Sequence, residues 1–275
     1  ERVQAPPLMR SKSGGTEVHG EGFVEFEYET LVIEVSEILG LPYEAAFSLL
    51  MRQRWNKDKL LNTWMQDDGG LSCRSLCETA GVPNPLPDKK NNTKPVDCQL
   101  CFCEAKPEEM ACLSCGHEYC EDCWRQWVKA EFDKGPSVVR SVCITHKCKH
   151  VISDRMFCNY LPKHKQPVYL KYLRGFVVDA LPDLKWCPSP GCNKVIKSVS
   201  TDANRAIRCI CGHSWCFSCS QPDHRPCPCT QRKKWYGKIG SDAENVNWII
   251  ANTKICPKCK VHIEKNQGCN HMTCR

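Results

Sequence analysis

The 275 residues include 24 cysteines, about 9% of the chain, which is several times the share in an ordinary cytosolic enzyme. Without cysteine only about a third of the chain is apolar, too little for one large core, which favours several small modules held by sulfur or metal. There is no run of 18 apolar residues, and residues 1–7 have neither a secretory stretch nor an initiating Met. We therefore expect a soluble segment of a longer chain.

Metal binding explains the cysteines better than disulfide bonds do. Disulfides need an oxidising compartment, and nothing in the sequence signals export. A disulfide framework also does not require histidine, whereas His117 and His224 fall inside regular cysteine clusters. Four bound zinc ions and fourteen thiolate ligands would reduce the formal charge of +7 to about +1. Basicity therefore gives no argument for a nucleic-acid partner.

The N-terminal part of the chain predicts a short lead and a small helical domain. Residues 1–22 are rich in Gly, Ser and Pro and predict a disordered segment. Residues 23–81 predict a helical domain, because apolar residues recur at helical spacing between positions 30 and 66. Three short helices fit this pattern, the second starting at Leu41-Pro42 and the third capped by Asn56.

Linkers separate the remaining modules. Residues 82–97 hold four prolines among polar residues and predict an extended linker. Residues 151–186 and 231–255 predict helical linkers, whose apolar side chains we expect to cover neighbouring modules; a dedicated binding surface is the alternative. The predicted fold class is a series of small zinc-stabilised α+β modules, with an N-terminal helical bundle and helical linkers. The cysteine-rich segments are residues 98–150, 187–230 and 256–275.

The first cysteine-rich segment contains eight regularly spaced donors, enough for two tetrahedral zinc ions. They are Cys98, Cys101, Cys115, His117, Cys120, Cys123, Cys143 and Cys148. Four donor pairs can close around the ions sequentially or interleaved, and the spacing alone does not choose. Cys103, Cys112 and Cys158 lie outside the pattern, and we expect them to be small buried hydrophobic residues.

The second and third segments continue the pattern. The second has eight donors, again enough for two zinc ions, and Cys227 lies close enough to Cys229 to compete with it. The donors are Cys187, Cys192, Cys209, Cys211, Cys216, Cys219, His224 and Cys229. The third begins with Cys256-Pro-Lys-Cys259 and continues to Gly268-Cys269-Asn270-His271-Met272-Thr273-Cys274. On spacing alone, Cys269 would be the fourth ligand of a zinc ion held by Cys256, Cys259 and Cys274.

The order of these segments resembles the RING-between-RING ubiquitin ligases, and the Gly-Cys-Asn-His-Met stretch is most similar to their Ariadne branch. The resemblance covers about residues 98–275 and implies a first RING, an in-between-RING domain and the start of a second RING. In a RING the pairs interleave, which implies one zinc on Cys98, Cys101, Cys120 and Cys123 and another on Cys115, His117, Cys143 and Cys148. In an in-between-RING domain the donors group consecutively, which implies one zinc on Cys187, Cys192, Cys209 and Cys211 and another on Cys216, Cys219, His224 and Cys229.

The resemblance also implies a catalytic role for the third segment. Cys269 would be a nucleophile rather than a ligand, and Cys256, Cys259 and Cys274 would share a zinc ion with a Cys beyond Arg275. Thioester exchange between two sulfurs needs mainly positioning and an unprotonated thiol, which suits Cys269. His271 is suited to deprotonating the incoming lysine. Because the second RING is cut short, we expect this activity of the intact protein.

The partners follow from the same resemblance. The first RING would dock a ubiquitin-conjugating enzyme charged with ubiquitin, through the apolar residue Leu100 or, in the alternative, Leu100 packs only locally. The helical domain at 23–81 resembles ubiquitin-associated-like domains, which implies binding of a modified cullin, with a plain spacer as the alternative. The remaining partner is a substrate protein, and we expect no membrane partner and a location in the cytoplasm or nucleus.

Two other functions compete with covalent transfer. A RING scaffold would promote direct transfer from the conjugating enzyme, without an intermediate on Cys269. A nucleic-acid-binding zinc protein would use basic stretches such as Arg232-Lys233-Lys234-Trp235. Acidic residues interleave with the basic ones along most of the chain, which argues against the second.

Overall fold

The computed structural model describes residues 16–66, 68–83, 95–198, 206–240 and 243–264. Its contacts divide the chain into two compact units. Unit 1 is residues 1–200 with 209–211, and unit 2 is residues 201–208 with 212–275. Within the described ranges, every helix is too short or too polar to cross a lipid bilayer.

Unit 1 begins with a strand and a four-helix bundle. These elements are β1 (Thr16–His19), α1 (Gly22–Leu39), α2 (Tyr43–Arg52), α3 (Lys57–Trp64) and α4 (Leu71–Ala80). The predicted disordered lead is wrong over residues 16–22, while residues 1–15 lie outside the described ranges. The three predicted helices are confirmed, including the cap, since the Asn56 side chain accepts a 2.8 Å hydrogen bond from the Lys59 amide. The fourth helix, α4, was not predicted.

The first cysteine-rich segment folds as two small hairpins and a helix. Its elements are β2 (Val96–Asp97), β3 (Glu104–Ala105), a 3₁₀ helix (Pro107–Glu109), β4 (Met110–Cys112), β5 (Glu118–Cys120), α5 (Glu121–Phe132) and a second 3₁₀ helix (Gly135–Arg140). β2 pairs with β3 and β4 with β5, both antiparallel. Two indole groups fix α5 against its surroundings, as Trp124 donates to the Ala111 carbonyl at 2.9 Å and Trp127 to the Val142 carbonyl at 3.0 Å.

Two helices and a three-stranded sheet complete unit 1. They are α6 (Asp154–Tyr160), α7 (Gln166–Ala180), β6 (Leu184–Trp186) and β7 (Val195–Ser198). The sheet order is β1-β7-β6, with all neighbours antiparallel. Unit 2 contains β8 (Ala206–Arg208), β9 (Ser214–Cys216), α8 (Cys229–Gly240), α9 (Ala243–Asn252), β10 (Thr253–Ile255) and β11 (His262–Glu264). β8 pairs with β9 and β10 with β11.

One hydrophobic core runs through unit 1, where the small modules that the sequence predicts pack against one another. Side chains from the bundle, α5, α6 and α7 all contribute, among them Val32, Phe47, Trp124, Phe157 and Leu173, which are essentially inaccessible to solvent. The apolar faces of the first helical linker cover the neighbouring segments, as predicted. The cysteine-rich loops and the helices of unit 1 therefore share one core.

The bundle is joined to the first cysteine-rich segment by close backbone contacts. The Ser48 hydroxyl donates to the Ala80 carbonyl at 2.8 Å and accepts from the Val151 amide at 3.0 Å. Gly81 has a φ of +67°, and a Cβ there would lie 2.3 Å from the His150 nitrogen. The predicted linker at 82–97 therefore begins packed, since Val82 is also buried. Residues 84–94 lie outside the described ranges.

The second helical linker, in unit 2, behaves differently from the first. Trp235 is 64% exposed, and Trp248 and Ile250 are more than half exposed. Tyr236 is also more than half exposed, whereas Ile249 is partly buried. Coverage of a neighbouring module and a dedicated binding surface both stay predictions for this linker.

Candidate metal centres

The structure brings sixteen Cys and His donors into four compact groups among the described residues. Within each group the four donor atoms lie within 4.8 Å of one another. The groups are Cys98, Cys101, Cys120 and Cys123; Cys115, His117, Cys143 and Cys148; Cys187, Cys192, Cys209 and Cys211; and Cys216, Cys219, His224 and Cys229. The first two are interleaved along the chain and the last two are consecutive, which is the grouping that the resemblance implied.

The sulfur separations suit a tetrahedral metal ion and are too long for disulfides. Cys98 and Cys123 Sγ are 3.8 Å apart, and Cys101 and Cys120 Sγ are 3.7 Å apart. Corresponding pairs in the third and fourth groups are 3.5 to 3.8 Å apart. Four thiolates about 2.3 Å from a zinc ion at tetrahedral angles have edges of about 3.8 Å, whereas a disulfide bond is about 2.05 Å long. The donor chemistry and spacing therefore fit zinc.

A local backbone turn positions the Cys98–Cys101 and Cys216–Cys219 pairs, whereas Cys120 and Cys123 lie at the start of α5. In the first group the Cys98 amide donates to the Cys103 carbonyl at 3.0 Å and the Phe102 amide donates to the Cys98 carbonyl at 2.8 Å. Phe102 has a φ of +59°, in the left-handed region. The fourth group repeats this turn, with bonds of 2.8 and 2.9 Å around Cys216 and a φ of +55° at Ser220. The turn aims both thiols of a pair toward one point.

The same turn is present at Cys256, at the start of the third cysteine-rich segment. The Cys256 amide donates to the Val261 carbonyl at 3.0 Å, the Lys260 amide donates to the Cys256 carbonyl at 3.0 Å, and Lys260 has a φ of +61°. Cys256 is buried and Cys259 is exposed. This hairpin thus has the backbone conformation of the two complete groups. Cys269, His271 and Cys274 lie outside the described residues.

The histidines face sulfur through a defined nitrogen. His224 Nε2 lies 3.3 Å from Cys219 Sγ and 3.5 Å from Cys229 Sγ, while its Nδ1 lies 2.6 Å from the Cys227 carbonyl. A carbonyl only accepts, so Nδ1 carries the proton and Nε2 is left with a lone pair for a metal. Cys229 joins the group as predicted, and Cys227 contributes its carbonyl. In the second group His117 Nδ1 lies 3.2 Å from Cys115 Sγ.

The cysteines outside the predicted pattern also fall outside the four groups, but two of them are not buried. Cys103 and Cys112 are exposed, which corrects the expectation that they are small buried hydrophobic residues. Cys103 lies just before β3, at the end of the first Cys-x2-Cys turn, where its carbonyl accepts a hydrogen bond from the Cys98 amide. Cys158 is half-buried, and burial together with the nearby Asp154 raises the pKa of its thiol to about 12. It therefore stays protonated at neutral pH.

The first Cys-x2-Cys loop presents two apolar side chains to solvent. Leu100 is 51% exposed, and Phe102, which sequence reasoning missed, is 82% exposed. Phe102 is also the residue with positive φ in this turn. Local packing of the loop therefore leaves about half of the Leu100 side chain accessible to solvent.

Sequence profiles of known domains match three parts of the chain. Residues 168–229 match the IBR domain, a half RING-finger domain, and residues 251–275 match a second IBR-domain profile. Residues 28–67 match the UBA-like domain of E3 ubiquitin-protein ligase ARIH1. The IBR match contains the last two donor groups, and the UBA-like match lies in the helical bundle.

Whole-chain comparisons point in the same direction. The chain is 36% identical to the probable E3 ubiquitin-protein ligase rbrA of Dictyostelium discoideum, over 98% of this chain and 52% of that protein. It is 32% identical to the E3 ubiquitin-protein ligase ariadne-1 of Drosophila melanogaster, over 89% of this chain and 49% of that protein. The chain spans about half the length of the curated relatives that it matches.

One solved structure, Parkin of Pediculus humanus bound to phospho-ubiquitin, matches at 24% identity and a TM-score of 0.33, over 68% of this chain and 61% of that one. The domain profiles, their order and the similarity over nearly the whole chain agree with the four donor groups described above. The chain belongs to the RING-between-RING ubiquitin ligases, in their Ariadne-like branch.

Proposed function

We propose that the four donor groups each hold one zinc ion, and that Cys256, Cys259 and Cys274 form part of a further site. The sulfur separations and the proton on His224 Nδ1 support the proposal for the complete groups. The shared backbone turn supports it for Cys256 and Cys259. Bound zinc would hold the loops and neutralise the thiolates, and no catalytic step is assigned to it.

The intact protein passes ubiquitin from a conjugating enzyme to a substrate through Cys269. The observation that carries this proposal is the Cys256-x2-Cys259 hairpin, which has a zinc-binding turn and leads within ten residues into Gly-Cys-Asn-His-Met. The relatives that share this order are named as E3 ubiquitin-protein ligases.

The transfer takes two balanced steps. The Cys269 thiolate attacks the thioester carbonyl of the charged conjugating enzyme, a new carbon–sulfur bond forms, and the enzyme's thiolate leaves. A lysine amine of the substrate then attacks the Cys269 thioester, an amide bond forms, and the Cys269 thiolate is released. His271 takes the proton that the amine loses. Both thioesters have similar energy, so the first step needs positioning more than driving force.

Docking of the conjugating enzyme is assigned to the first Cys-x2-Cys loop. Leu100 and Phe102 are exposed apolar side chains in a loop whose backbone is fixed by two hydrogen bonds to Cys98. An apolar partner surface that covers them would remove both side chains from water. The helical bundle is assigned to a modified cullin, with a spacer role as the alternative. Its match to the ARIH1 UBA-like profile supports the binding role.

A single-turnover assay tests the covalent step. Full-length protein is mixed with a ubiquitin-loaded conjugating enzyme that cannot discharge to lysine, and the products are separated without reductant. We expect a thiol-sensitive ubiquitin adduct in the parent and none in Cys269→Ala. His271→Gln should still form the adduct but pass ubiquitin to lysine slowly, because only the second step uses the base.

The competing function is a RING scaffold that promotes direct transfer. The exposed Leu100 and Phe102 suit both functions, since each needs a docked conjugating enzyme. Substrate modification that Cys269→Ala leaves unchanged would favour the scaffold and reject the covalent step.

A further inference from the structure

The N-terminal strand completes the sheet next to the third donor group. β1 pairs antiparallel with β7, with Val18 opposite Ile196, and Val18 is fully buried. β7 pairs on its other side with β6, and Cys187 follows β6 directly. A segment that precedes the helical bundle is therefore part of the in-between-RING sheet, although about 165 residues separate the two in the chain.

Arg174 ties the same N-terminal segment to the connector helix α7. Its guanidinium contacts Glu21, which precedes α1, and its Nε lies 3.3 Å from an oxygen of Glu25 in the first turn of α1. Only 12% of the Arg174 side chain is exposed. The side chains of Glu25 and Glu21 are 24% and 37% exposed, so both ion pairs are partly shielded from solvent and less screened than a fully exposed pair.

A second ion pair reaches β7. Lys197 Nζ lies 2.6 Å from a carboxylate oxygen of Glu27 and 5.6 Å from the centre of the Phe23 ring. The Phe23 ring stacks on His19, with centroids 3.5 Å apart and planes 6° apart. The turn between β1 and α1 is thus held from the sheet side by β7.

The contacts of Arg174 lie next to a residue of α7 with low helix propensity. Gly175 follows Arg174 in the interior of α7, and glycine lowers helix stability because its backbone loses the most freedom on folding. A Cβ at Gly175 would meet no atom within 4 Å, so packing does not require glycine there. Contacts from α1 at Arg174 therefore support the helix next to this position.

We infer that residues 16–27 fix the orientation of the third donor group (Cys187, Cys192, Cys209 and Cys211) relative to the first RING. We call these residues the N-terminal clamp, and Arg174 is a positioning residue that it contacts. α7 leads from the first RING toward β6, so its course decides where Cys187 and its neighbours lie. The clamp holds this path at two places, on α7 through Arg174 and on β7 through β1 and Glu27. The consequence for ubiquitin transfer rests on the proposed function, whereas the structural role does not.

Hydrogen exchange of the full-length protein tests the clamp without any use of ubiquitin. Arg174→Met keeps the length and helix propensity of the side chain but removes both ion pairs. We expect exchange in β1, β7 and the turn around Gly175 to become about tenfold faster or more. The matched control is Arg125→Met, since Arg125 also pairs with two acids, Glu121 and Asp122, but within α5 alone.

Charge reversal distinguishes positioning from general loss of structure. Lys197→Glu and Glu27→Lys should each lose protection of β7, and the double variant should regain it. In the ubiquitin assay, Arg174→Met should form the Cys269 adduct more slowly while binding the conjugating enzyme with unchanged affinity, because the docking loop is not altered.

The outcomes separate the two ideas. Exchange in Arg174→Met and the charge variants that matches Arg125→Met overturns the clamp, whether or not ubiquitin is transferred. Faster exchange in these variants, together with no adduct in the parent protein, supports the clamp and rejects covalent transfer. Faster exchange with an unchanged rate of adduct formation would show that the contacts stabilise the sheet, but it would overturn the positioning role.

Discussion

The Tyr28 hydroxyl donates a 2.9 Å hydrogen bond to the buried carboxylate of Asp154, 126 residues further along the chain. Tyr43 donates to the other carboxylate oxygen at 3.0 Å. Burial raises the pKa of Asp154, and the two hydroxyl bonds act in the opposite direction. Helices α1 and α2 thus satisfy a polar group at the start of α6, which joins the bundle to the connector region.

Loss of one of these bonds should destabilise unit 1. Tyr28→Phe leaves one oxygen of Asp154 without its partner, and we expect a loss of about 1–3 kcal/mol in the free energy of unfolding. Tyr236→Phe removes a hydroxyl from an exposed side chain and should change it by less than about 0.5 kcal/mol. Urea unfolding in excess zinc, followed by tryptophan fluorescence, measures both. Equal midpoints for the two variants would show that the bond adds no net stability.

Two glycines with the same backbone conformation should respond differently to alanine. Gly40 and Gly81 have φ values of +64° and +67°, but only Gly81 has backbone atoms of another segment against it. Gly40→Ala should cost about 1–2 kcal/mol for the left-handed conformation alone. Gly81→Ala adds a clash with the His150 backbone and should cost more than about 3 kcal/mol. Similar thermal midpoints for the two would contradict the close approach.

The docking loop can be altered without straining its turn. Phe102→Gly removes an apolar side chain at a position where φ is +59°, so glycine fits the backbone. We expect Leu100→Ala and Phe102→Gly each to weaken binding of the conjugating enzyme about tenfold, measured by calorimetry. Ser220→Gly changes the equivalent position in the fourth group and should bind normally. If both loop variants bind the conjugating enzyme with the affinity of the parent protein, this loop is not the docking surface.

Pairing of β1 should weaken in mild acid. Burial lowers the pKa of His19, against the raising effects of Glu17 and Glu27, while Lys197 lowers it further. The unfolded segment takes up a proton near pH 6.5 and the folded one at lower pH, so the stability is complete above about pH 6.5 and is lost as pH falls below it.

Exchange protection of β1, corrected for intrinsic rates between about pH 7.5 and pH 5.5, measures this effect. His19→Phe keeps a flat ring but cannot titrate, so its β1 protection should change less over the same range. Any acid-induced loss of zinc affects both proteins. Equal slopes would mean that His19 does not control the pairing.

The number of bound zinc ions should fall only when a donor of one of the metal groups is replaced. Native mass spectrometry of Cys187→Ser should show one zinc ion fewer than the parent, since three donors remain in that group. Cys103→Ser is the matched control and should keep the full number, because Cys103 belongs to none of the groups. Loss of zinc from Cys103→Ser would require a different assignment of the first group.

The metal donors were predictable because their spacing is regular and the turns at Cys98, Cys216 and Cys256 are local structures. The left-handed residue that closes the turn was not predictable, since Phe102, Ser220 and Lys260 are not residue types that favour positive φ. The pairing of β1 was also missed. Its strand has four residues in a Gly-rich lead, and its partner lies far away in the chain, so no local signal marks it. The shared core was missed because composition counts apolar residues without showing which faces meet.

The pairing of Thr16 with Ser198 has a consequence for synthesis of the protein. Roughly 180 residues must leave the ribosome after β1 before its partner exists, which takes on the order of 10–40 s at usual elongation rates. During that time the strand has an open edge, and α1 lacks its contacts with α7 and β7. A nascent chain of this kind should depend on chaperones until the in-between-RING sheet closes, and an expression boundary placed after residue 22 would leave that sheet one strand short.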